Sequence, residues 1–156
     1  HFAQGIGTAV TFQPSDPDPD ARASIDQWAA SLRLANILPA VVLDAAADQW
    51  PVSRADMVIC INMIHIAPWA ATLGLMRGAA AVLSPGGKLF LYGPYRRDGR
   101  HTSPGNEAFD ADLRNRNPEW GIRDLEAVTA LAVDHGFTPP VIEAMPANNL
   151  SLVFTR

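Results

Sequence analysis

Asp16, Asp44 and Asn62 each close a short apolar run, and ligand chemistry in this chain would turn on them. In an open parallel sheet the carboxyl ends of the strands line one crevice, so polar residues at those ends meet a shared ligand. An acid just past one strand suits ribose hydroxyls, from which it accepts hydrogen bonds. A second acid, one strand over, suits an adenine amino group. The pair fits a nucleoside better than a metal ion, because no histidine or third carboxylate stands at ligand spacing. Turn formation and helix capping are the other roles open to Asp16 and Asp44.

Further candidates follow the same strand ends. His65 lies three residues beyond Asn62, and an ordinary pKa of about 6.5 suits it to act as a base. Packing at a helix entry is the alternative. Tyr95, Arg96 and Arg97 follow the apolar run that ends at Tyr92. Tyr95 could orient an acceptor, and either arginine could clamp a carboxylate or phosphate. Asn148 stands in the final turn, where asparagine is also favoured for its backbone tolerance. Trp69 and Trp120 could stack on an aromatic acceptor or pack as core or lid. Cys60, between Ile59 and Ile61, reads as a small core hydrophobe rather than a nucleophile.

The elements that must position these groups are read from periodicity. Thr8–Gln13, Ala40–Leu43, Met57–Ile61 and Lys88–Tyr92 read as strands. Asp18 before Pro19 marks a helix start. That helix carries Ile25, Trp28, Ala29 and Leu32 on one face. A second helix, Trp69–Leu83, presents Leu73, Met76, Ala80 and Leu83, and Ser84–Gly87 follows as a turn. Residues 93–121 are irregular apart from a short helix over Asn106–Arg116, and the stretch 96–121 is the candidate lid. A helix with Leu125, Val128 and Leu131 ends at a capping Gly136. Val141–Met145 and Leu150–Phe154 close the chain as an antiparallel hairpin. The order predicts an α/β, doubly wound, mostly parallel sheet with a C-terminal antiparallel hairpin strand.

The bounds agree with one folded domain over residues 1–156. The chain has 156 residues, 48% hydrophobic and 18% charged, which fits a globule with a core and not a disordered segment. A net charge of −4 disfavours a nucleic-acid surface. One cysteine forbids an internal disulfide and suits a reducing, cytoplasmic setting. The apolar stretch 57–76 is interrupted by Asn62, His65, Pro68 and Gly74, so no membrane span is expected. A small molecule is the expected partner, with a homodimer left open.

The motifs resemble a known family. Asp16-x-Asp18-x-x-Ala21, Asp44-Ala-Ala, Asp56-x-Val-x-Cys-x-Asn62-x-Ile-His65 and Leu83-Ser-Pro-Gly-Gly-x-Leu-Phe-Leu91 resemble, in order, motifs of class I S-adenosylmethionine-dependent methyltransferases. The set Gln13-Pro-Ser-Asp16, Asn62-Met-Ile-His-Ile-x-Pro-Trp69, Leu91-Tyr-Gly-Pro-Tyr95, Asn117-Pro-Glu-Trp-Gly-x-Arg-Asp124 and Met145-Pro-Ala-Asn-Asn149 resembles the methyltransferase-like protein 26 family. The resemblance implies a Rossmann-like fold and S-adenosylmethionine as cofactor. It implies cofactor contacts from Asp16, Asp44, Ala45, Asn62 and Met63, and acceptor contacts from Arg96, Arg97 and Asn148.

One departure stands out. In nucleotide-binding sheets the acid follows a Gly-rich loop by about 20 residues. Asp16 is only 16 residues from the start, so that loop would fall before His1. Gly5-Ile-Gly7 reads instead as a helix end and a turn. The chain is thus expected to be N-terminally incomplete, its first strand missing.

Three functions follow: a methyltransferase acting on a small acceptor, a non-catalytic module that binds the cofactor or a protein, and an NAD-dependent oxidoreductase. The terminal hairpin argues against the third.

Overall fold

The computed structural model describes residues 2–156. The chain forms two compact units, His1–Pro51 and Val52–Arg156.

The first unit opens with helix α1 (Phe2–Ile6) and a 3-10 turn over Gly7–Ala9, as the Gly5-Ile-Gly7 reading expects. Buried Asn36 ties this segment down: its Nδ2 donates to the carbonyls of Ala3, Gly7 and Val10 at 3.1, 2.8 and 3.3 Å. The strands expected at Thr8–Gln13 and Ala40–Leu43 do not form. Their place is taken by two isolated parallel bridges, Phe12↔Ile37 and Ser15↔Val41. Pro14 and Pro39 interrupt the ladder, because proline has no N–H to donate. The Gln13 carboxamide fills part of the gap by donating to both proline carbonyls, at 3.1 and 2.7 Å.

Helix α2 (Pro19–Ser31) joins the bridged segments. It starts as its sequence predicts, with Asp18 Oδ1 accepting from Asp20 N at 2.8 Å and Pro19 in the first turn. The face expected to be apolar core is not buried: Trp28 is 66% exposed.

The second unit is built on strand β1 (Ala55–Ile61), helix α3 (Trp69–Val82) and strand β2 (Leu83–Arg97). β1 and β2 run parallel, in register from Met57↔Lys88 to Ile61↔Tyr92. β2 is longer than expected. The Ser84–Gly87 turn is a bulge inside it, across which the register jumps from Ala55↔Leu83 to Met57↔Lys88. Gly86, at φ 87°, makes the bend, and the chain end holds it through Gly86 N to Arg156 O (2.7 Å) and Arg156 N to Gly87 O (2.9 Å).

β2 then turns back through Asp98–Gly99, both at positive φ, into the short strand β3 (Arg100–His101). Two left-handed residues in a two-residue loop match the right-handed twist of a hairpin. Helix α4 (Pro104–Arg116) is capped by Ser103 Oγ, which accepts from Asn106 N at 3.1 Å. β4 (Arg123–Asp124) runs parallel to β2 beside Tyr95 and Arg96 and leads into α5 (Leu125–Asp134). Gly136, at φ 84°, closes α5 as expected. β5 (Val141–Met145) and β6 (Asn149–Thr155) form the predicted antiparallel hairpin, and β6 also pairs antiparallel with β2.

The resulting order is β1-β2-β6-β5, an open α/β sheet of Rossmann-like type with antiparallel C-terminal strands. Its core lies where Leu89 and Leu91 of β2 and Leu150, Leu152 and Phe154 of β6 are buried, along with residues of α3 and α5. The buried residues of α3 include Leu75, Met76, Ala79 and Val82, so the face is offset from the expected one, and Leu73 is 41% exposed.

Among the described residues, no helix is long and apolar enough to cross a membrane.

Candidate functional site

In the first unit, Asp16 and Asp44 stand just past the paired residues Ser15 and Val41. The Asp16 N–H makes one of the two bonds of the Ser15↔Val41 bridge, donating to Val41 O at 3.2 Å. Each carboxylate organises its own turn. Asp16 Oδ1 accepts from Asp18 N at 2.8 Å, and Asp44 Oδ1 accepts from Ala46 N at 2.9 Å. Neither Oδ2 has a partner among the described residues, so each acid keeps an acceptor oxygen for a hydroxyl or amino group. Asp44 is exposed, and Asp16 and Ala45 are half-buried.

In the second unit, Asn62 ends β1 by donating its N–H to Tyr92 O at 2.8 Å. It takes a left-handed conformation, φ 59° and ψ −10°, which asparagine tolerates better than most residues. The chain then makes a 3-10 turn over Met63–His65, with His65 N donating to Asn62 O at 3.2 Å. Asn62 is exposed and Met63 half-buried.

His65 turns inward. It is 1% exposed and packs edge-on against Tyr95, which is 0% exposed, with ring centroids 5.3 Å apart at 81°. Neither imidazole nitrogen has a hydrogen-bond partner, and neither does the Tyr95 hydroxyl. Burial, helped by the Arg123 charge, pushes the His65 pKa down to about 3, so the ring is neutral near pH 7. Burial pushes the Tyr95 phenol up, and the thiol of buried Cys60 up to about 11, so both stay protonated. Gly93 faces this group. A side chain built there would meet His65 Nε2 and, at 3.0 Å, Asn62 Oδ1. His65, Asn62 and Gly93 therefore come together, with Tyr95 behind the imidazole.

The arginines separate. Arg96 is paired with Asp124 at 2.8 Å, while Arg97 is exposed opposite Arg100 in the hairpin. Asn148 is exposed and left-handed (φ 56°), next to Ala147 at φ 59°. Its carbonyl accepts from Asn106 Nδ2 at 3.2 Å.

The stretch expected as a lid is fastened. Asp110 of α4 is buried, and its Oδ1 accepts from Ile122 N at 2.6 Å. Its Oδ2 meets Arg114 Nε at 3.0 Å and His101 Nε2 at 3.5 Å. Burial works to raise the Asp110 pKa, but the Arg114 guanidinium and the Ile122 N–H outweigh it and hold the carboxyl below its usual range.

Arg123 was not among the residues singled out. Its guanidinium donates to Ile64 O at 2.9 Å, Ala67 O at 2.6 Å and Glu119 O at 3.0 Å, and lies 5.6 Å from the centre of the Trp69 ring. Among the described residues, no group of three or more His, Cys, Asp or Glu could hold a metal ion.

The sequence matches the family described as "Protein of unknown function (DUF938)" over residues 1–156. The chain belongs to the DUF938 family. Solved structures share the fold of this DUF938 protein at low identity. An O-methyltransferase family protein from Burkholderia thailandensis matches 94% of it with a TM-score of 0.80 and 17% identity. The S-adenosylmethionine-dependent methyltransferase SibL, in its apo form, matches 93% with a TM-score of 0.74 and 20% identity. Human N-acetylserotonin methyltransferase, in complex with SAM, matches 83% with a TM-score of 0.64 and 15% identity. The DUF938 chain spans less than half of each: 43%, 43% and 37% of their lengths. The DUF938 chain thus has the fold found in S-adenosylmethionine-dependent methyltransferases.

Proposed function

We propose that this protein transfers a methyl group from S-adenosylmethionine to a small-molecule acceptor. The observation that carries the reading is the sheet: a parallel pair continued by antiparallel β6 and β5, superposing on structures whose names include S-adenosylmethionine-dependent methyltransferases. When bound, the cofactor supplies an electrophilic methyl group on a sulfonium whose departure leaves a neutral thioether.

Asp16 would accept from ribose hydroxyls and Asp44, with Ala45 beside it, from the adenine amino group. The free carboxylate oxygen on each acid supports this. Asn62 and Met63 are proposed as cofactor contacts on the motif resemblance alone. Exposed Arg97 and Asn148 would meet the acceptor, and Arg96 would do so only by leaving Asp124. The resemblance to methyltransferase-like protein 26, a single domain over the whole chain and a cytoplasmic setting belong to the same proposal.

Methyl transfer from a sulfonium needs chiefly alignment and exclusion of water. This suits a chain whose candidate base, His65, is neutral, buried and poorly basic. His65 and Tyr95 would then act by shaping the floor beneath Asn62, not by taking a proton. The same burial favours a second reading, a module that binds the cofactor without turnover.

Calorimetry on the full-length protein with S-adenosylmethionine, S-adenosylhomocysteine and NAD tests the proposal. Micromolar binding of the first two is expected; preferential NAD binding would refute it. Turnover with a panel of oxygen and nitrogen acceptors separates catalysis from binding alone.

A further inference from the structure

The loop 62–68 leaves β1 and enters α3 without a side-chain cap: Pro68 occupies the cap position. Three of its carbonyls nevertheless have outside partners, all from one distant segment. Gly121 N donates to His65 O at 2.9 Å. Arg123 Nε donates to Ile64 O at 2.9 Å, and an Arg123 Nη donates to Ala67 O at 2.6 Å. The same Nη also holds Glu119 O at 3.0 Å, so one guanidinium bridges two stretches of backbone more than 50 residues apart in sequence.

The segment that supplies these donors is itself fixed on several sides. Asn117 Oδ1 accepts from Glu119 N at 3.0 Å, closing a turn. Ile122 N is held by Asp110, and Arg123 sits in register with Tyr95 of β2. Gly121, at φ 148°, lets the backbone approach α4 so closely that a side chain there would meet Asp110 Oδ1 at 2.7 Å and Arg114 Nη2 at 2.8 Å. The Asn117–Asp124 run is therefore a clamp, rigid at its base, whose jaws are Gly121 and Arg123.

We infer that Arg123 is a positioning residue that sets the loop carrying Asn62, Met63 and His65 through its paired bonds to Ile64 O and Ala67 O. The role rests on the methyltransferase reading, since the loop matters to function only if Asn62 and Met63 meet the cofactor. The chemistry requires arginine. Its planar fork presents donors in fixed directions and can hold two carbonyls of one loop while a third is held behind. A lysine at the same place offers one ammonium on a flexible stem. Alignment errors well under 1 Å are costly where a reaction depends on positioning.

The test uses the full-length protein and its Arg123→Lys and Arg123→Ala variants, with Arg54→Ala, an exposed position outside the clamp, as control. S-adenosylhomocysteine affinity is measured by calorimetry, and amide hydrogen exchange is followed at His65 and Ile66, whose N–H groups bond within the loop. Both Arg123 variants should weaken binding by about tenfold or more. Both should speed exchange at His65 and Ile66 while leaving the β2 and β6 amides protected. Added guanidinium should restore affinity to Arg123→Ala and leave Arg54→Ala unchanged. If the wild type binds and Arg123→Lys binds equally well, the positioning role is wrong and the methyltransferase reading stands. If the wild type binds neither S-adenosylmethionine nor its demethylated product, that reading fails and takes the role of Arg123 with it.

Discussion

A histidine with no hydrogen-bond partner on either nitrogen, 1% exposed, is a costly thing to fold around, and at position 65 the cost depends on pH. The folded chain takes a proton on His65 only near pH 3, whereas the unfolded chain takes one near 6.5. Between those values the unfolded state binds the extra proton, so acid favours unfolding and stability rises with pH. Above 6.5 neither state is protonated and the effect vanishes. His65 alone should make the protein roughly 2 kcal/mol less stable at pH 5 than at pH 7. Urea unfolding at the two pH values measures it. His65→Leu should flatten most of the difference; an undiminished slope in that variant would show that the ring is not the cause. Asp110, whose carboxyl is held low, gives up its contribution only below the ordinary carboxylate range and so leaves this window clear. The sequence marks His65 and Tyr95 as candidates because they follow the expected strand ends; the structure puts His65 in the turn after β1, but Tyr95 inside β2, which runs on to Arg97. For His65, packing at the helix entry was already open in the sequence; that Tyr95 packs against it was not legible, because the arrangement depends on Gly93 leaving room for the imidazole and on Arg123 holding the loop from 59 residues away. Arg123 lay inside a recognised motif, and the one signal for it was an arginine two residues after a glycine in an otherwise irregular stretch.

At the scale of elements, the strands of the second unit were legible, while Thr8–Gln13 and Ala40–Leu43, read as strands, form only isolated bridges. Met57–Ile61 and Val141–Met145 match observed strands because nothing interrupts their N–H donors. Pro14 and Pro39 reduce the first pair to two bridges, an effect that shows only when the segments are seen to be partners. Helix α3 is apolar almost all round, so its sequence fixes the helix but leaves the buried face ambiguous, and the expected face came out offset. The end of β2 offers a sharp test. Gly93 has φ 155° and faces His65 and Asn62 at contact distance, so Gly93→Ala forces both a rare backbone conformation and a clash. Urea unfolding should show a loss of roughly 2–3 kcal/mol. Gly5→Ala, in α1 with no atom near its added carbon, should show no loss. Equal stability of the two variants would mean that β2 can shift away from His65, and that the packing under Asn62 is loose.

Both units use one device, a helix joining two parallel segments, but with different completeness: α2 links bridged residues, α3 links a full ladder. A unit held by two bridges has little backbone pairing to resist opening, and a ligand that binds only its folded form would stabilise it in proportion to binding. A ligand at 100 times its dissociation constant adds about 2.7 kcal/mol to the stability of whatever it binds in the native state alone. S-adenosylhomocysteine at that level should therefore raise the unfolding free energy of the full-length protein by about that amount. Asp44→Ala should abolish most of the increment at the same ligand concentration. It should cost little in the absence of ligand, since the carboxylate is exposed and holds only its own turn. Asp16→Ala should lose the increment too, with a larger ligand-free cost because Asp16 lies at the bridged segment and organises the turn into α2. NAD at equal concentration should add less. An Asp44→Ala protein that keeps the full increment would place the adenine elsewhere, and a larger increment from NAD would set the oxidoreductase reading above the methyltransferase one.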